Sequence, residues 1–130
     1  MTPYFIKEAV DFSRVMLPRL KDPENTILWH VANLGVVADR PHDLLQGLAL
    51  FRFVETPEQG KQDWLHIEGA KGLWVDATAS LAAGGIGRMI QSIYKNLNKP
   101  EWVGFARFKH NDRMSVYPAS FFDRLLKAGI

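Results

Sequence analysis

A chain of 130 residues with a net charge of +2 and no cysteine has the length of one folded domain, and it excludes disulfide frameworks, thiol nucleophiles and Cys-type zinc sites. With 47% hydrophobic and 23% charged residues it is too apolar, and too small in net charge, for intrinsic disorder, so one packed domain over 1–130 is expected. No apolar run approaches the ~20 residues of a membrane helix. Met1 to Ala9 is neither a basic-then-apolar signal nor an Arg-rich transit peptide, which makes a cytoplasmic location the expectation.

Thr2-Pro3 reads as a cap and first helical position, and Phe5, Ala9, Phe12 and Met16 then recur at helical spacing up to the breaker Pro18. Asp22-Pro23 repeats that signal; Ile27, Val31 and Leu34 follow, with Gly35 placed as a left-handed C-terminal cap. From Val36 the pattern becomes extended. Val36 to Ala38 and the apolar Leu48 to Val54 read as a strand pair, TPEQGK at 56–61 as a polar turn, and Trp64 to Glu68 and Leu73 to Thr78 as two further strands.

Ile86, Met89, Ile90, Ile93, Tyr94 and Leu97 lie at i, i+3, i+4, i+7, i+8 and i+11, the pattern of an amphipathic helix. Trp102 to Phe108 and Arg113 to Tyr117 flank Lys109-His110-Asn111-Asp112 as a hairpin, and Ser120 caps a short helix through Leu126. A crossover between parallel strands fits only the unit of strand 73–78, helix 86–97 and strand 102–108.

Chemistry concentrates in that unit. Gly84, Gly85 and Gly87 allow close backbone approach of a ligand, and the first-turn N–H groups with the positive helix end suit a pyrophosphate, to which Arg88 adds a charge. Residues 88–130 hold eight basic against three acidic side chains and residues 1–87 eight against eleven, so an anionic ligand or partner is expected near the C-terminal third.

On these residues the chain resembles the Gcn5-related N-acetyltransferase (GNAT) superfamily, whose central strand splays from its neighbour and whose following loop and helix hold the acyl-CoA pyrophosphate. The superfamily's loop motif is Gln or Arg, two residues, Gly, one residue, then Gly or Ala. Ala82, Ala83, Gly84, Gly85, Ile86 and Gly87 stand at those positions, with Ala82 replacing the leading Gln or Arg. The resemblance covers about residues 1–108 and implies an α/β fold: a mixed, mostly antiparallel sheet with two N-terminal helices, a central strand-loop-helix unit and a short C-terminal helix.

It implies an acyl-CoA-dependent N-acyltransferase, with acetyl-CoA or another acyl-CoA as substrate and an amine as acceptor. Ala77, Ala82, Gly84, Gly85, Ile86, Gly87 and Arg88 would then line the cofactor site. The C-terminal hairpin is similar to that of the toxin-activating lysine acyltransferases, which carry an aspartate in the strand preceding the helix, the place of Asp76; their N-terminal catalytic histidine motif is not visible. Small GNAT-like bacteriophage proteins, some of them virion components, supply the alternative of a non-catalytic binding or structural protein in a virion or assembly.

Asp76 lies in an apolar strand, on the face of Trp74 and Thr78 by simple alternation, and a carboxylate so placed is a candidate general base. His66 and Glu68 alternate with Trp64 and are candidates to face the acceptor amine; Tyr117 is a candidate acid for the thiolate. Equally, Asp76 can cap a neighbouring turn, His66 and Glu68 can line a wet sheet face, and the glycines can serve only a tight turn. His30, His42, His66 and His110 show no metal-ligand spacing. Val103 to Phe108 departs from the RNA-recognition pattern it partly matches, so no nucleic-acid partner is expected.

Overall fold

The computed structural model describes residues 3–96, 100–107, 113–118, 120 and 123–124. Two helices open the chain, α1 (Pro3–Met16) and α2 (Pro23–Ala32). Strands β1 (Val36–Asp39) and β2 (Gly47–Val54) follow, then the single-turn α3 (Pro57–Gly60), β3 (Gly72–Ser80), α4 (Gly85–Asn96), β4 (Trp102–Arg107) and β5 (Arg113–Pro118). Among the described residues the strands form one sheet in the order β1-β2-β3-β4-β5. Every pair is antiparallel except β3 with β4, which the α4 crossover makes parallel.

The sheet separates two apolar clusters. Leu48 and Leu50 point from β2 onto Ala9, Val10 and Ile27 of α1 and α2. Phe51, Leu73 and Val103 point the other way, onto Ile93 of α4. Each fully buried Leu or Ile contributes about 1.5–3 kcal/mol through removal from water, and strand alternation delivers them to opposite faces.

Three expectations need correction. The run Trp64 to Glu68 is not a strand but an irregular segment, because Trp64 sits in the left-handed region at φ 63° and the backbone carbonyls before and after it turn inward. Residues 56–61 are more than a polar turn: Thr56 and Gln59 form a reciprocal capping box on α3. Finally, the left-handed residue after α2 is Leu34 at φ 57°, not Gly35. Gly35 is required for another reason, since a Cβ there would collide with the Phe51 carbonyl of β2, whose N–H donates to Gly35 O at 2.9 Å. The hairpin loop 109–112, Leu97 and most of the helix from Ser120 lie outside the described residues.

Candidate functional site

Pairing within β3 creates the site. Leu50 faces Ala77 but Phe51 faces Val75, so Asp76 is the extra residue of a bulge; a bulge bends the strand and re-aims a side chain. The parallel pairing of β3 with β4 ends at Val75 and Phe105. Asp76 therefore stands at the fork where the two strands part. Because the bulge shifts the alternation, Thr78 lies opposite Ala49 on the α4 side. Asp76 turns toward α2 with Trp74, and its expected sharing of a face with Thr78 is corrected.

Around Asp76 the chain gathers two residues to which sequence reasoning assigned no role. His30 Nε2 lies 2.7 Å from Asp76 Oδ2, and His30 Nδ1 lies 2.7 Å from Thr26 O one turn back in α2. A carbonyl only accepts, so Nδ1 carries a proton, and the second ring nitrogen is committed to the carboxylate. Arg52 Nε donates to both Asp76 oxygens at 3.1 and 2.9 Å. Its Nη1 donates to Gln62 O at 2.6 Å and Leu65 O at 2.9 Å, and its Nη2 to Gly60 O.

The Arg52 side chain is 2% exposed and that of His30 4%, whereas that of Asp76 is 21% exposed. Only the carboxylate reaches outward. It opens on a cleft of about 1040 Å³ walled by the α1–α2 connection (Met16 to Asp22), by Trp29, by Lys61, Asp63 and Trp64, and by Met114 of β5. Trp29 and Trp64 meet edge to face with ring centroids 5.5 Å apart. Trp64 is 53% exposed, and holding so bulky a residue at positive φ costs roughly 1–3 kcal/mol.

The signals for the missed residues were present in the sequence. His30 shares the Ile27–Val31–Leu34 stripe of α2, and Arg52 is the one charge in LALFRFV. A cation inside a buried strand demands a carboxylate partner.

The other candidates fall elsewhere. Glu68 is exposed in the turn before Gly69. Tyr117 stacks on Phe105 at 5.9 Å and packs against the α4-side cluster, on the sheet face away from the Asp76 carboxylate. His66 braces β2: its Nδ1 accepts from Phe53 N–H at 3.2 Å, and Ile67 N–H donates to Phe53 O at 2.9 Å, closing the β2 edge beyond β1.

Burial holds the His66 imidazole below its ordinary 6.5, with Arg52 and His30 adding to the effect and Glu68 opposing it. The unfolded chain therefore takes up this proton first. The His66 contribution is complete above about pH 6.5 and is lost as pH falls through the lower folded value. Wild-type denaturation midpoints are expected to fall as pH drops from about 7 to 5, and less steeply in His66→Phe. Equal slopes would remove His66 as the cause.

At the far end of β3 lies the glycine loop. Gly84 adopts φ 73°, and a Cβ on Gly85 would collide with Ser80 Oγ and approach Asp39 Oδ2 to 3.0 Å. Gly85 N–H donates to Ala82 O and Arg88 N–H to Gly84 O, both at 3.0 Å. Among the described residues the Ile86 and Gly87 N–H groups find no backbone acceptor. Arg88 is paired: Nε and Nη2 grip Asp39 at 2.8 and 2.7 Å, and Nη1 donates to Ala83 O at 3.0 Å. The guanidinium holds the Asp39 carboxyl below its ordinary range. Ala77 lies on β3 beside Asp76, between fork and loop.

No protein-family model matches the sequence, and a search of curated proteins finds no relative. Among solved structures the chain is similar to the loading GNATL domain of CurA from Lyngbya majuscula, at 13% identity and a TM-score of 0.57 over 78% of this chain. The alignment covers 60% of that domain. No helix among the described residues is long and apolar enough to cross a membrane. The bulged, splayed strand, the glycine turn and the following helix, taken with that structural likeness, make this a GNAT-like fold.

Proposed function

We propose that the chain is an acyl-CoA-dependent N-acyltransferase. The observation that supports the reading is that one strand joins the two candidate parts of the site: β3 carries Asp76 at the fork and leads into the glycine turn that opens α4. The Ile86 and Gly87 N–H groups and the α4 dipole suit the CoA pyrophosphate. Beyond Val75 the β4-facing edge of β3 has no strand partner among the described residues, which would let a thioester reach Asp76.

The amine nitrogen attacks the thioester carbonyl carbon, the C–S bond breaks, and CoA departs as the thiolate. The proton lost by nitrogen passes to the Asp76–His30 pair, directly or through water, and the thiolate takes a proton from solvent or a nearby acid. The pairing of His30 on an N-terminal helix with Asp76 also supports a relationship in chemistry to the toxin-activating acyltransferases.

Titration calorimetry with CoA tests the loop. Wild type is expected to bind, and Gly84→Val, which forces a β-branched residue into a left-handed position with its Cβ 3.3 Å from Arg88 Nη1, is expected to weaken binding at least tenfold while the fold persists. Absence of wild-type binding at millimolar CoA would overturn the enzyme reading.

A second reading, a non-catalytic GNAT-like binding or structural protein such as a virion component, is favoured by one observation. Arg88 is spent on Asp39, and Ala82 stands where the superfamily motif has Gln or Arg, so neither position offers a free cation for the pyrophosphate.

A further inference from the structure

The cleft over Asp76 is built for more than a reacting nitrogen. Its apolar wall is made by Met16, Leu17, Leu20, Trp29, Trp64 and Met114, with the charged Arg19, Lys21, Asp22, Lys61 and Asp63 also lining the cleft. At the floor Asp76 Oδ2 is already engaged by His30 Nε2 and by the Arg52 Nε–H, but Oδ1 accepts only the 3.1 Å contact from Arg52 Nε. A carboxylate oxygen accepts two hydrogen bonds, so Oδ1 keeps an acceptor position for one N–H donor.

Arg52 offsets the Asp76 charge, which otherwise favours an ammonium, so the floor can hold a neutral amine, the form that acts as a nucleophile. Trp64 supplies an independent observation. A bulky side chain held at φ 63°, 53% exposed at the mouth and edge-on to Trp29, is retained against its backbone strain, and strain of this kind clusters at ligand clamps.

We infer that the acceptor is a primary amine carried on an apolar, ring-bearing body, its nitrogen donating to Asp76 Oδ1 and its ring lying against Trp29 and Trp64. The inference rests on the acyltransferase reading for the word acceptor, but the binding event does not require CoA, so the two fail separately. The size allows it: about 1040 Å³ is just above the roughly 300–1,000 Å³ typical of small-molecule sites.

Calorimetry and tryptophan fluorescence on the full chain, without CoA, provide the test with four probes: tryptamine, indole-3-acetate (the same ring with an anion), spermidine (amines without a ring) and decanoate (an apolar chain). Tryptamine is expected to bind at least tenfold more tightly than the other three, and more tightly as pH rises and its neutral form grows. Trp64→Gly removes the ring and relieves the strain, so it should leave the denaturation midpoint unchanged or raised while weakening tryptamine at least tenfold. Trp64→Phe restores a ring and should bind within about threefold of wild type. Asp76→Asn should abolish the preference for tryptamine over indole-3-acetate. Spermidine binding as tightly as tryptamine, decanoate binding in its place, binding indifferent to Trp64→Gly, or no tryptamine binding at all would each overturn the inference.

Discussion

Asp76→Asn is expected to lower turnover per folded molecule by roughly 10²- to 10⁴-fold, the usual contribution of a positioned proton acceptor, with little change in CoA affinity. Asparagine keeps the size and one oxygen for Arg52 Nε, but it removes the charge that receives the proton and the acceptor that His30 Nε2 addresses at 2.7 Å. The loop proposed to hold CoA lies at the other end of β3 and is braced by Asp39, Arg88 and Ser80, so its affinity should not follow. Steady-state kinetics with the folded fraction measured in parallel separates the roles. If turnover per folded molecule survives while stability drops, Asp76 is a strut for Arg52 and the proton goes to water.

The second large effect is on stability. Arg52→Met removes a guanidinium that is 2% exposed and leaves three carbonyls, those of Gly60, Gln62 and Leu65, without their donor. Breaking a buried pair by deleting one partner typically costs about 3–5 kcal/mol. The urea midpoint should fall accordingly with an unchanged slope. Amide exchange should accelerate over residues 60–65, the segment that carries Trp64. Arg52→Lys should rescue little, because a lysine is a point charge that cannot reach a carboxylate and three carbonyls from one stem. A midpoint within experimental error of wild type would show that the 60–65 segment is held by α3 and its own contacts instead.

By itself the sequence determined the parts of the molecule whose causes are local. The spacing of Met89, Ile90 and Ile93 requires one inward helical stripe, although Ile86, one turn earlier in the same pattern, stays 49% exposed, and Gly84 and Gly85 mark a tight turn at the helix start. The β-rich runs of β1, β2 and β3 fix the strands that α1, α2 and α4 cover. From these, with the order of elements, the GNAT-like fold was legible, and Asp76 stood out as a carboxylate in an apolar strand.

Only the tertiary structure decided what Asp76 meets. His30 is 46 residues away in sequence and Arg52 is 24, and they reach it because a bulge breaks the alternation that would otherwise be read along β3. Arg88 looked like a free phosphate ligand until Asp39, 49 residues earlier, claimed it. Trp64, His66 and Glu68 alternate as a strand would, yet Arg52 draws the carbonyls of Gly60, Gln62 and Leu65 inward, and no period-2 pattern survives that pull. In each case a strong, specific polar contact made between distant residues overrode a weak local preference, and such contacts exist only after the chain has closed on itself.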